Sequence, residues 1–138
     1  MKVLIVEDNP ASMRLIRMAL RKSGYRVLEA ADGLEALAVA RRERPDLIVM
    51  DVRLPKMDGL EATRRLRQTP GLGRVPIIAL TASAMEGDRQ RIIAAGCDEY
   101  IAKPFNTRQF PDTVARILAR AGPVADGEAS GQKGAGYR

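Results

Sequence analysis

The chain has 138 residues, 46% of them hydrophobic and 29% charged, the balance of one soluble domain large enough to bury a core without disulfides or a structural metal. Lys and Arg number 23 against 17 Asp and Glu, a net charge of +6, but the positive residues are spread along the sequence and not interleaved with aromatics, so a solvated basic surface is preferred to a nucleic-acid interface. Histidine is absent, which excludes a histidine base, a histidine metal ligand or a phosphohistidine within the chain, and the lone cysteine, Cys97, excludes an internal disulfide.

An unpaired thiol fits a reducing cytoplasm, and the apolar run in the opening MKVLIVED is too short for a signal peptide or a membrane span. That run, Val3-Leu4-Ile5-Val6, reads as a buried strand ending in Glu7-Asp8. Asn9-Pro10 starts a helix to about residue 22, with Ser12, Leu15, Ile16, Ala19 and Leu20 at the spacing of a buried stripe. Gly24 stops it, residues 25–30 form the next strand, and a second helix begins at Gly33 with Leu34, Leu37 and Ala38 on its inner face.

Pro45 closes that helix and leads into Leu47-Ile48-Val49-Met50, an apolar run too short for an ordinary helix, which delivers Asp51 at its end. Pro55 and Asp58-Gly59 make residues 54–59 a loop into a third helix, with Asp58 as a turn and cap residue, and residues 69–73 are a second loop. Residues 76–80 form a strand that ends at Thr81. A helix over Glu86 to Ala95 stops at Gly96, followed by Cys97, a small half-buried thiol. Glu99 to Ala102 is a short last strand ending at Lys103-Pro104, and a final helix over residues 107–121 buries Phe110, Val114, Ile117, Leu118 and Ala121. Residues 122–138 are Gly-, Ala- and Ser-rich without periodicity and read as a disordered tail, which leaves one domain over residues 1–121.

Five alternating βα units with right-handed crossovers predict an α/β fold, a doubly wound parallel sheet with helices on both faces. Ligands bind such sheets at the carboxyl ends of the strands. Four ends there carry Glu7 and Asp8, Asp51, Thr81 and Lys103. Viewed alone, Asp51 could merely cap its strand, and a helix N-terminus would account for Glu7 and Asp8. Taken together, three converging acids call for a cation, and hard oxygen ligands suit Mg²⁺. The set suits a phosphoryl group on a carboxylate: Asp51 as nucleophile, Mg²⁺ on the acid pair, and Thr81 and Lys103 contacting phosphoryl oxygens.

On Leu4-Ile5-Val6-Glu7-Asp8-Asn9, residues 50–59, Leu80-Thr81-Ala82 and Tyr100-Ile101-Ala102-Lys103-Pro104, in this order and spacing, the chain resembles the receiver domain of bacterial two-component response regulators over residues 2–121. The resemblance implies a flavodoxin-like sheet of order 2-1-3-4-5. It also implies Asp51 as phosphoacceptor, and Mg²⁺ held by Glu7, Asp8, Asp51 and the backbone carbonyl of Arg53. Thr81 and Lys103 are implied as phosphoryl contacts, Tyr100 as a switch aromatic following Thr81, and Arg53 and Ser83 as positions that tune the lifetime of the phosphorylated state. Plain strand packing is the other reading of Tyr100. Residues 85–88 and 95–98 look most like stand-alone regulators of the cell-cycle and cell-division kind, and like receivers of hybrid kinases.

The expectation is therefore a cytoplasmic single-domain response regulator, a phosphoacceptor rather than an enzyme. It would take its phosphoryl group from a histidine kinase or a histidine phosphotransfer protein and signal by binding other proteins, or else act as a phosphorelay intermediate. An aspartate-nucleophile phosphatase is the rival, but Arg53 stands where that chemistry needs a second acid. No Gly-rich loop followed by Lys-Ser or Lys-Thr is present to hold ATP. With the predicted stripe facing inward, Met13, Arg14 and Arg17 of the first helix would face outward and, with Phe105, dock the phosphohistidine donor; a merely soluble helix face is the alternative.

Overall fold

Each apolar run predicted as a strand is one. The computed structural model describes residues 1–82 and 85–121. In it β1 (Lys2–Val6), β2 (Arg26–Ala30), β3 (Leu47–Asp51), β4 (Ile77–Thr81) and β5 (Glu99–Ala102) alternate with α1 (Pro10–Lys22), α2 (Gly33–Glu43), α3 (Gly59–Arg67), α4 (Glu86–Ala95) and α5 (Gln109–Ala121). The strands form one parallel sheet in the order β2-β1-β3-β4-β5, as expected for a doubly wound, flavodoxin-like fold. Ser83 and the tail predicted over residues 122–138 lie outside the described residues. Among the described residues no helix is long and apolar enough to cross a membrane.

Because side chains alternate along a strand, a sheet covered on both faces builds two cores. Val3, Ile5, Leu47, Val49, Ile78 and Leu80 pack with Met13, Ile16 and Leu20 of α1 and with Phe110, Val114 and Ile117 of α5. Leu4, Val6, Ile48, Met50, Ile77 and Ala79 pack on the other face with residues of α2, α3 and α4. The first three helices start on side-chain caps: Asn9, Asp32 and Asp58 accept from the amides of Ser12, Glu35 and Glu61 at 3.0, 2.8 and 2.9 Å. Asn9 and Asp32 stand three and two residues past the ends of β1 and β2, so the loops there stay short, whereas seven residues separate β3 from α3.

Two helix faces differ from the sequence expectation. In α1 the buried line is Met13, Ile16 and Leu20, while Leu15 is 51% and Met18 60% exposed. The helix is turned by roughly 60° from the predicted stripe, at the 100° per residue of an α-helix. Apolar residues stand on both sides of Ile16, so periodicity left the phase open. Packing beside Phe110 and Val114 of α5 draws Met13 inward. In α2 the buried residues are Gly33, Ala36, Leu37, Val39 and Ala40, and Leu34 and Ala38 are exposed. Small residues mark this contact because the helix start lies against the loop before α3, where a Cβ on Gly33 would come 2.4 Å from the Met57 carbonyl oxygen.

The two ends of the sheet are fixed by different devices. At the amino ends of the strands, Arg67 of α3 donates to the Gly96 carbonyl from Nε and Nη2 at 3.0 and 2.7 Å, and Nη2 also reaches the Asp98 carboxylate at 2.9 Å. Asp98 in turn accepts from the Ile77 amide at 2.8 Å, so one guanidinium ties α3, β4 and the α4–β5 turn together. At the carboxyl ends, the loop after β3 folds back until the Gly59 amide donates to the Val52 carbonyl at 2.9 Å. A Cβ on Gly59 would stand 2.0 Å from the Asp51 carbonyl oxygen. Gly59→Ala is therefore expected to push α3 away from β3 and to lower stability by about 1–3 kcal/mol, the usual cost of overpacking. Urea denaturation checks this, with a lower midpoint at unchanged slope.

Candidate functional site

Parallel register places the functional residues before any side chain is considered. Val6 is paired with Met50, so Glu7 and Asp51 leave β1 and β3 side by side. Asp51 is paired with Leu80 and Thr81 with Ala102, which sets Thr81 and Lys103 on the far side. Alternation then sorts their directions. Glu7, Asp51 and Lys103 each lie two residues beyond Ile5, Val49 and Ile101, all of which belong to the face covered by α1 and α5.

The result is a compact ion cluster. Lys103 Nζ donates to Asp51 Oδ2 at 2.8 Å and to Glu7 Oε1 at 3.0 Å. The other Asp51 oxygen accepts from the Arg53 amide at 3.0 Å, and Glu7 Oε2 accepts from the Asn9 amide at 3.1 Å. Glu7, Asp51 and Thr81 are buried, whereas Asp8 is exposed. Burial, and after it hydrogen bonding with Asp51, pushes the Glu7 carboxyl above its usual range against the opposing pull of Lys103. Burial also works against the Lys103 ammonium. Its hydrogen bonds to Asp51 and Glu7 outweigh that and hold its pKa above the ordinary lysine value.

Carboxylate oxygens of Glu7, Asp8 and Asp51 lie within 4.8 Å of one another. An all-oxygen donor set with one exposed member fits a hard divalent cation that keeps several of its waters. The three acids border a cleft of about 480 Å³ that is also lined by Arg53, Thr81 and Lys103. Asp88 and Arg91 of α4 line the same cleft, and sequence reasoning did not find them. Their only signal was a position in the first and second turns of a helix that follows a strand end.

Other predicted residues fall around this centre. Tyr100 is half-buried on β5 with the Arg89 guanidinium 5.6 Å from its ring centroid. Phe105 is half-buried too, edge-on to Phe110 at 5.3 Å. Arg14 is exposed, and Arg17 is paired with Glu29 at 2.7 Å. Met13, expected among the docking residues, is a core residue 8% exposed and unavailable to a partner. Asp58 is a helix cap, as expected. Cys97 is buried beside Thr63, and burial pushes its thiol up to about 11, which leaves almost no thiolate at neutral pH.

A profile of the response regulator receiver domain matches residues 3–115. The polar-differentiation response regulator DivK of Brucella anthropi is 46% identical over 119 residues, 86% of this chain and 97% of its own. Among solved structures, the receiver domain of sensor histidine kinase PA1611 from Pseudomonas aeruginosa PAO1, with a magnesium ion coordinated in its active site cleft, is 48% identical with a TM-score of 0.76. That match covers 86% of this chain and 94% of the other. The chemotaxis response regulator CheY4 of Vibrio cholerae has a TM-score of 0.80 at 36% identity, over 83% of this chain and 96% of its own. With sheet order, strand-end residues and relatives in agreement, the chain belongs to the response regulator receiver domain family.

Proposed function

We propose that this receiver domain accepts a phosphoryl group on Asp51 from a phosphohistidine donor, a histidine kinase or a histidine phosphotransfer protein, and signals by binding other proteins when phosphorylated. The observation that carries this reading is the Asp51 carboxylate itself, buried at a strand end and held between the Arg53 amide and the Lys103 ammonium. A carboxylate so fixed needs little reorganisation to attack. Its oxygen forms a bond to phosphorus, the phosphorus–nitrogen bond breaks, and the imidazole leaves with the electron pair and takes up a proton on the donor. Lys103 is within reach of the new phosphoryl oxygens because it already touches the nucleophile. Thr81, buried at the end of the neighbouring strand, supplies a hydroxyl donor from the other side. Mg²⁺ on Glu7, Asp8, Asp51 and the Arg53 carbonyl would supply neutralising charge for the phosphoryl oxygens. The phosphatase alternative lacks its second acid, since Arg53 occupies that position.

The match to the DivK relative, over 97% of that protein's length, supports a regulator of the same kind. The cytoplasm is part of this reading and rests on the lone buried thiol. A role as phosphorelay intermediate is a second reading, favoured by the 48% identity to a receiver domain of a sensor histidine kinase. The two separate when the phosphorylated chain is offered a phosphotransfer protein, because only a relay intermediate passes the group on rapidly.

Incubation with Mg²⁺ and acetyl phosphate is expected to add one phosphoryl mass to the intact chain, and Asp51→Asn is expected to abolish it. Stoichiometric incorporation in that variant would overturn the assignment. Phosphorylation is further expected to draw the Thr81 hydroxyl toward Asp51 and let Tyr100 turn inward, a two-state change biased by local charge. Amide exchange over residues 85–110, compared with and without a phosphoryl mimic, should register it, and unchanged exchange would count against Tyr100 as a switch. For donor docking, Arg14 and Phe105 remain and the exposed Leu15 takes the place of Met13. Arg14→Glu with Leu15→Ser should slow transfer from the cognate histidine donor strongly while leaving phosphorylation by acetyl phosphate near normal.

A further inference from the structure

The mechanism above does not use the wall of the cleft that α4 forms. Arg91 Nη2 donates to Asp88 Oδ1 at 3.0 Å, and both residues line the cleft that holds Asp51 and Lys103. Exposure grades the side chains by depth: Asp51 is 7% exposed, Lys103 25% and Arg91 62%. The nucleophile therefore lies at the floor and Arg91 at the mouth. In an in-line displacement the leaving group points away from the nucleophile, which here is outward toward the mouth. Lys103 is held at the floor by two carboxylates, and an exposed pair such as Arg91–Asp88 is weak, so Arg91 can change partners at little cost.

We propose that Arg91 receives the leaving group of small acyl phosphates, giving the chain a preference for donors that depart as carboxylates. The inference rests on the reading of Asp51 as phosphoacceptor. Asp51 forms the bond to phosphorus, the bond from phosphorus to the acyl oxygen breaks, and its electron pair departs on the carboxylate product; no proton has to move. A planar guanidinium matches a carboxylate in which negative charge is developing, and its two parallel N–H donors fix the departure direction. With phosphoramidate the phosphorus–nitrogen bond of the N-protonated donor breaks and neutral ammonia leaves, which offers Arg91 no anion. Asp88 competes with the leaving group for the same guanidinium and so restrains the rate.

The test follows the intact mass of the full chain with Mg²⁺ and either acetyl phosphate or phosphoramidate. Arg91→Ala should slow the acetyl phosphate reaction about ten-fold, the size of one charge-assisted hydrogen bond in the transition state, and leave the phosphoramidate reaction within about two-fold. Arg91→Lys should recover part of the loss. Asp88→Asn should accelerate acetyl phosphate in the native chain and have no such effect in the Arg91→Ala background. Equal slowing of both donors, or of neither, overturns the proposal while leaving Asp51 in place. A native chain that gains no mass from either donor overturns the phosphoacceptor reading, and this proposal falls with it.

Discussion

Two carboxylates brought together at buried positions repel each other unless a cation stands between them. Lys103 is that cation. It leaves β5, passes the end of β4 and meets Asp51 on β3 and Glu7 on β1. Sheet order and register have to be those observed for one ammonium to reach both, and a one-residue slip in any of these strands would turn its side chain to the opposite face. The same contact explains why the floor is ordered before any ligand arrives. Both Glu7 oxygens are occupied, one by Lys103 and one by the Asn9 amide, and Asp8 alone of the acids faces solvent.

Much of this was legible in the sequence because the strands are apolar runs with one polar residue at the end. Runs such as Ile77–Thr81, buried on both faces, have no phase to mistake. Site residues followed from the strands, since in a parallel sheet the end of each run is a position in space. Helix phase was less legible. In α1 Leu15 and Met13 flank Ile16, and the neighbouring α5, remote in sequence, decides which of them enters the core. In α2 the contact is made by Gly33, Ala36 and Ala40, residues too small to announce a buried face against Leu34. The Asp88–Arg91 wall was hidden for a related reason. Its residues are ordinary surface charges in sequence, and only the position of α4 beside the strand ends gives them a role.

Charge follows the same topology. Residues spread evenly along the sequence become sorted in space, because every helix of a doubly wound fold ends at the same edge of the sheet. Arg21 and Lys22 close α1, Arg41 and Arg42 close α2, Arg64, Arg65 and Arg67 close α3, and Arg120 closes α5, whereas the last turn of α4 has no basic residue. Basic side chains there also meet the negative ends of the helix dipoles. The acids of the site lie at the other edge, so a chain of net charge +6 carries its carboxylate-lined cleft at the end away from these basic turns.

The clamp on Gly96 has a mechanical consequence for α4. The carboxyl end of this helix is fastened by Arg67 through the Gly96 carbonyl and Asp98, whereas Met85 at its amino end contributes no side-chain cap. Along its length it buries Ile92 and Ala95 and leaves Ile93 54% exposed. Over the ten residues of α4, about 15 Å at the rise of an α-helix, a small rotation about that clamp would become a displacement of ångströms at the amino end. Asp88 and Arg91 near that end line the cleft, so any tilt of the helix would move the cleft wall.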